Sequence, residues 1–218
     1  AEVLEELPED DQVEILSGLD LERAADVLEE MSPDDATDLI SELEPQLAAL
    51  LLQRMEPEDA EDIRRLLTYA DDTAGGMMTT EPVILPPGAT VAEALALVRS
   101  TELSPALASQ VYVVRPPLES PTGRYLGTAH FQALLREPPS ALVASIVDQE
   151  LEAIPPETVL GQVARYFATY NLVAVPVIDE NDHLLGAVTV DDLLDHMLPE
   201  DWREEEEDSY GPPEVTDG

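Results

Sequence analysis

The chain has 218 residues, with 48 Asp and Glu against 10 Lys and Arg, giving a formal net charge of −38. Every basic residue is Arg, and so acidic a balance excludes a nucleic-acid binder, which needs a basic face, as it does direct binding to anionic lipid. The absence of Cys excludes disulfides, iron–sulfur clusters and thiolate zinc sites, and no apolar run approaches the ~20 residues of a membrane span.

Residues 1–70 repeat every 12 positions. Leu7, Leu19, Met31, Leu43, Met55 and Leu67 mark the period. Apolar pairs follow at Ile15/Leu16, Val27/Leu28, Leu39/Ile40 and Leu51/Leu52, and Ala recurs at 24, 36, 48 and 60. Pro33, Pro45 and Pro57 each stand where a first helical residue belongs. Ser32 suits an N-cap, with Asp35 three residues on. The pattern predicts helices of about ten residues joined by minimal turns and stacked into a superhelix, because none buries its apolar face alone. Ala1 falls inside this pattern, as in a segment taken from a longer chain. The segment holds 22 acids and four Arg. Acids in first turns, such as Asp34, Asp35, Glu58 and Asp59, complement helix dipoles, but dipoles do not account for the total.

Residues 71–80 interrupt the pattern, and Gly75-Gly76 predicts a turn or hinge. Two copies of a longer unit follow, over 81–137 and 146–200. Extended runs end in Leu85-Pro86-Pro87 and Ile154-Pro155-Pro156. Thr90 with Glu93 forms a capping box that opens a helix, and Thr158 is expected to open its counterpart. Val111–Val114 and Val173–Ile178 read as buried strands. Gly127 to Leu135 and Gly186 to Leu194 each read as a strand followed by a helix, so each copy is β-α-β-β-α. Pro116 to Pro121 lengthens the first copy. The fold class is α+β: an all-α superhelical repeat domain followed by a β-α-β-β-α pair.

That pair, with Gly186-Ala187-Val188-Thr189-Val190-Asp191-Asp192 in its second copy, resembles a tandem of CBS domains. The resemblance implies a two-cleft disc whose clefts take adenine nucleotides. Thr189 would offer a hydroxyl to phosphate and Asp192 a carboxylate to ribose. His130 and Ala133 hold those places in the first copy, which lacks the carboxylate. The order of parts, with Ala74-Gly75-Gly76-Met77-Met78-Thr79 and Thr189-Val190-Asp191-Asp192-Leu193-Leu194-Asp195, resembles the cytosolic half of MgtE-type magnesium channels over about residues 5–204. That resemblance implies a homodimeric regulator joined through its CBS domains, with no catalysis. In it, Mg²⁺, or Ca²⁺ or Mn²⁺ in its place, bridges acidic faces of the helical domain and the CBS pair. A membrane pore or a separate partner would be what it gates, at the cytoplasmic face.

Facing carboxylates repel by roughly 3 kcal/mol per close pair at an effective dielectric near 20, and a divalent ion reverses that sign. Mg²⁺ keeps several waters and often needs only one or two carboxylates. The resemblance assigns Asp34 to a pair with Asp192, and Asp38, one turn further on, to the neighbourhood of the Ala168 carbonyl. Asp195 and Glu200 are further candidate ligands. The ordinary alternative for Asp192 is a helix-start acid or a ribose ligand.

Departures from the family pattern accompany these matches. Asn171 replaces an Asp ligand, Val159 and Gly161 replace acids, and Gln110 and Gln132 replace aromatic and Arg nucleotide contacts. Fewer ion sites are expected as a result. His130, His183 and His196 lack metal-like spacing and read as structural. After Trp202 an acidic tail over 203–218 is expected to be disordered. It reads as a natural end, which favours a soluble relative over a channel fragment. Two rivals stand beside magnesium sensing: an adenine-nucleotide sensor at Thr189 and Asp192, and generic acidity suited to high salt. No nucleophile–base constellation, phosphate loop or catalytic metal motif points to an enzyme.

Overall fold

The computed structural model describes residues 2–5, 7–101, 103–148 and 153–198. The 12-residue period becomes a string of short helices: α1 (Glu2–Glu5), α2 (Glu9–Gly18), α3 (Leu21–Glu29), α4 (Pro33–Glu42), α5 (Pro45–Arg54) and α6 (Pro57–Leu66). Pro33, Pro45 and Pro57 occupy first helical positions, where the missing N–H removes no helical bond. Leu19, Leu43 and Met55 take extended C-cap geometry, so the chain turns within two residues of each helix end. Each helix packs on the next but one: α2 on α4, α3 on α5, α4 on α6. Leu16, Ala24, Leu28, Ala36, Leu39 and Ile63 fill the space between them.

The first CBS-like copy contains β1 (Ile84–Leu85), α7 (Val91–Leu97), β2 (Gln110–Val114), β3 (Tyr125–His130) and α8 (Phe131–Leu134). Strand β1 runs parallel to β2, and β2 antiparallel to β3. The second copy contains α9 (Leu160–Tyr170), β4 (Ala174–Ile178), β5 (Leu184–Thr189) and α10 (Val190–Asp195). Its opening strand is reduced to a parallel bridge from Ile154 to Val177, beside the antiparallel β4–β5 pair. Both copies break register at the same place, Val113/Val114 and Val177/Ile178. The β-α-β-β-α order therefore holds in both.

The copies exchange strands. Thr79, on the way into the first copy, bridges Ala187 of the second, while Asp148, on the way into the second, bridges Thr128 of the first. Two glycines permit this. A Cβ on Gly186 would lie 2.3 Å from the Thr79 carbonyl oxygen, and one on Gly127 would lie 2.8 Å from that of Asp148. Tyr112, Val114, Leu184 and Ala187 form the apolar seam between the copies.

One expectation changes. Thr158 does not cap the second copy's first helix; Val159 holds the N-cap position, and the Thr158 hydroxyl donates to the Pro155 carbonyl at 2.7 Å. Backbone from residues 72–75 supplies the partners instead. Leu160 N–H donates to the Asp72 carbonyl, and Ala74 and Gly75 donate to Thr158 and Pro156. Gly75 and Gly76 lie buried in that seam, so the segment is a packed turn fastened to the second copy. The residues inserted at Pro116–Pro121 also have a contact: the Ser120 carbonyl accepts from Arg65 Nη1 of α6 at 2.9 Å.

Candidate cation site between the helical domain and the second repeat

Helix α4 starts at Pro33, so its first turn carries Asp34 and Asp35. Asp34 is only 6% exposed, and its Oδ1 has no hydrogen-bond partner. A buried carboxylate in that state is costly unless it is neutralised or paired. Burial pushes its pKa well above the usual range, and the negative charge of Asp192 is the next cause. Asp35 and Asp38 add further repulsion. The structure therefore brings together two acids 158 positions apart, one on each side of the interface.

Asp192 is the third residue of α10 and closes a capping box with Thr189. The Thr189 hydroxyl donates to its Oδ2 at 2.6 Å, and the Thr189 N–H donates at 3.3 Å. Burial raises the Asp192 pKa to about 6 despite those hydrogen bonds, with Asp191 and Asp195 adding repulsion. The hydroxyl and carboxylate that the nucleotide reading assigns to phosphate and ribose are thus bonded to each other. Asp192 is a helix-start acid as well as the neighbour of Asp34.

The other candidates are placed less tightly. Asp38 is half-buried one turn beyond Asp34, Asp195 sits one turn beyond Asp191, and Ala168 is exposed in the last turn of α9. The last carbonyls of a helix lack intrahelical donors and suit a cation. Glu200 and the tail 203–218 lie outside the described residues. Among the described residues no three His, Asp or Glu side chains converge to hold a metal. An ion held by only one or two carboxylates would have to keep most of its water.

Sequence reasoning missed a latch on α6. Arg65 Nη2 donates to Asp62 Oδ1 at 2.8 Å, and the Thr80 hydroxyl donates to Asp62 Oδ2 at 3.3 Å. With the Arg65–Ser120 bond, these join α6 to both the linker and the first copy. A lone Arg in an i, i+3 pair carries no sequence signal of that role. A cavity of about 600 Å³ lies between the copies, where the resemblance implies a cleft. Its walls include Gln110, His130 and Gln132 from the first copy, then Asp148, Tyr170 and Asn171. Gln110 and Gln132 are legible in the sequence only as replacements.

The paired β-α-β-β-α units with exchanged strands define a CBS-type regulatory module. The chain belongs to the CBS-domain family, whose pattern it matches over residues 74–139 and 143–199, and residues 1–72 match the MgtE intracellular N domain. The magnesium transporter MgtE of Thermus thermophilus is 34% identical over 138 residues, 63% of this chain and 30% of that protein. MgtE of Enterococcus faecalis is 33% identical over 61% of this chain and 28% of that protein. The chain thus spans about 30% of the length of these relatives. Among solved structures, the cytosolic domain of the Mg²⁺ channel MgtE in complex with ATP superposes with a TM-score of 0.78 at 32% identity, covering 89% of this chain and 78% of that one. The soluble part of a magnesium transporter gives 0.74 at 32% identity, covering 87% and 71%. Both parts of the chain are thus homologous to the cytosolic domain of MgtE. No helix among the described residues is long and apolar enough to cross a membrane.

Proposed function

We propose that the chain is a Mg²⁺-responsive regulatory module in which a hydrated divalent cation binds between Asp34 and Asp192 and holds the helical domain against the second CBS copy. The observation that carries this reading is the buried Asp34 carboxyl, with its unpartnered Oδ1 set against the charge of Asp192. Without a cation the pair opposes docking; with one it favours docking. Asp38, Asp195, Glu200 and the Ala168 carbonyl supply outer contacts or second ions. Ca²⁺ and Mn²⁺, as oxygen-seeking divalent ions, would substitute. The regulated object is a magnesium pore, in the same chain or a separate one, at the cytoplasmic face of the membrane. A homodimer through the CBS pair fits the apolar residues left exposed at Phe131, Leu135, Leu194 and Met197.

The test is the radius of gyration by solution scattering during a MgCl₂ titration, with KCl matched in ionic strength. Compaction is expected at millimolar Mg²⁺, not with KCl, and should be weakened several-fold in Asp34→Ala and Asp192→Ala. Equal compaction by KCl would reduce the acids to generic charge. Compaction by ATP alone, lost in Thr189→Ala, would replace the ion with a nucleotide.

A further inference from the structure

We propose that the residues inserted at Pro116–Pro121 form a strap that holds the helical domain on the CBS pair without a cation. Its consequence, a lower Mg²⁺ threshold for docking, rests on the cation reading; the strap itself does not. The connection between β2 and β3 runs over 115–124, where the matching one between β4 and β5 needs only 179–183. The extra length is tied down at both ends. At its base, Gly123 N–H donates to the Pro117 carbonyl at 2.7 Å and Arg115 N–H to the Arg124 carbonyl at 2.8 Å. A Cβ on Gly123 would lie 2.2 Å from the Arg115 carbonyl oxygen, so only glycine lets the base close. The far end crosses to the second copy. Thr122 N–H donates to the Leu184 carbonyl at 3.0 Å, and Leu184 N–H donates to the Thr122 hydroxyl at 3.1 Å. The Ser120 hydroxyl donates to the Leu185 carbonyl. Ala187, further along β5, holds Thr79 of the linker. Strap and linker are therefore fixed to one strand.

Helix α6 of the helical domain binds both. Arg65 donates from Nη1 to the Ser120 carbonyl at 2.9 Å and from Nη2 to Asp62 Oδ1 at 2.8 Å. The other Asp62 oxygen accepts from the Thr80 hydroxyl at 3.3 Å. The Arg65 side chain is 20% exposed and its buried Nε has no partner, so the guanidinium gives up water for these bonds. Hydrogen bonds from a charged donor in such surroundings are stronger than neutral ones. Charge acts in the same direction. Glu81, one residue beyond Thr80, feels the negative charge of Asp62 and Asp59. Without Arg65, α6 would meet the linker with like charges. None of these groups belongs to the Asp34–Asp192 pair.

Solution scattering of the full chain in EDTA, followed by a MgCl₂ titration at matched ionic strength, tests the strap. The variants are Arg65→Gln, a graft that replaces 115–124 with the sequence of 179–183, and the two combined. Arg64→Gln is the control, because Arg64 bonds to the Leu52 carbonyl inside the helical domain. Arg65→Gln and the graft should each enlarge the radius of gyration in EDTA, with unchanged helical circular dichroism in Arg65→Gln. Each should raise the Mg²⁺ midpoint of compaction about tenfold. Combined, they should raise it no more than about threefold beyond either alone, because both break one contact. Arg64→Gln should stay within about twofold of the unmodified chain. An unchanged radius in EDTA with no rise in the Mg²⁺ midpoint in Arg65→Gln would overturn the strap. So would an equal effect in Arg64→Gln, or full additivity of Arg65→Gln and the graft. Larger radii in both variants, with no chain responding to Mg²⁺, would uphold the strap and overturn the cation reading instead.

Discussion

In the second CBS copy the last helix opens on Thr189 and Asp192; in the first it opens on His130 and Ala133. The backbones differ little there, and both strands before the turn carry their glycine and their bulge at the same register. The side chains differ completely. In the second copy the carboxylate closes the cap and meets Asp34 of the helical domain. In the first copy no carboxylate stands at that position, and His130 and Gln132 line a cavity instead. Duplication supplied two equivalent helix starts, and a few substitutions set one against a protein domain and the other against open space.

The largest effects should fall where the two copies remain alike. Gly186→Ala places a Cβ 2.3 Å from the Thr79 carbonyl oxygen, and Gly127→Ala places one 2.8 Å from that of Asp148. Both neighbours are backbone and cannot step aside. Gly127 also sits at φ +143°, which L side chains rarely adopt. Each substitution should cost about 3–4 kcal/mol, lowering the melting temperature by roughly 8–15 °C. Thermal melts by circular dichroism measure both. A melt of Gly127→Ala within a degree of the parent would show that the exchange of strands is held from one side only.

The next effect separates the copies by pH. Asp192 is raised from 3.8 to about 6 and Asp34 is raised well above 3.8, chiefly by burial. A carboxyl raised in the docked state binds its proton more tightly there. Its stabilisation is therefore complete below the ordinary value near 3.8 and is lost as pH rises through about 6. In EDTA, docking should strengthen as pH falls from 7 to 4.5, so acid should mimic Mg²⁺. Asp34→Asn should flatten that dependence, because its amide donates to Asp192 at every pH. It should also raise the melting temperature in EDTA at pH 7.5 by roughly 4–8 °C, from about 2 kcal/mol of relieved repulsion and desolvation. Scattering across pH, with and without the substitution, gives the comparison. An unchanged pH profile in Asp34→Asn would remove this pair from the switch.

Local features were legible and non-local ones were not. The 12-residue period predicts α2 to α6 because its demands recur: an apolar residue at each turn, an Ala in α3 to α6, and a first-position proline in α4, α5 and α6. The Thr90–Glu93 box predicts α7 for the same local reason. Thr158 misleads because a backbone segment 86 positions away, ending in an Asp72 carbonyl, meets the helix start that its hydroxyl was expected to cap. The Arg65 latch and the exchanged strands depend on contacts between distant segments, which leave no period. The meeting of Asp34 with Asp192 belongs to that group too. Spacing places Asp34 and Asp38 on one face, but only the resemblance to MgtE named the partner across the interface.

The smallest effect compares the two capping boxes directly. Thr90 accepts from Glu93 N–H at 3.3 Å, and Glu93 accepts in return from the Thr90 N–H and hydroxyl at 2.6 and 2.7 Å. Thr189 and Asp192 repeat that arrangement at α10. Thr90→Ala and Thr189→Ala each remove one cap and should lower the melting temperature by roughly 2–4 °C. Only the second touches the acid pair. The Thr189 hydroxyl holds the Asp192 pKa down, so its loss moves that pKa higher and lets protons compete with a cation at higher pH. The pH at which Mg²⁺-induced compaction is half lost should therefore move upward in Thr189→Ala and stay fixed in Thr90→Ala. Equal movement in both would mean that helix stability, not the chemistry at Asp192, sets the response. No movement in either would detach the cap from the cation altogether, leaving Asp192 to act on Asp34 through bare charge.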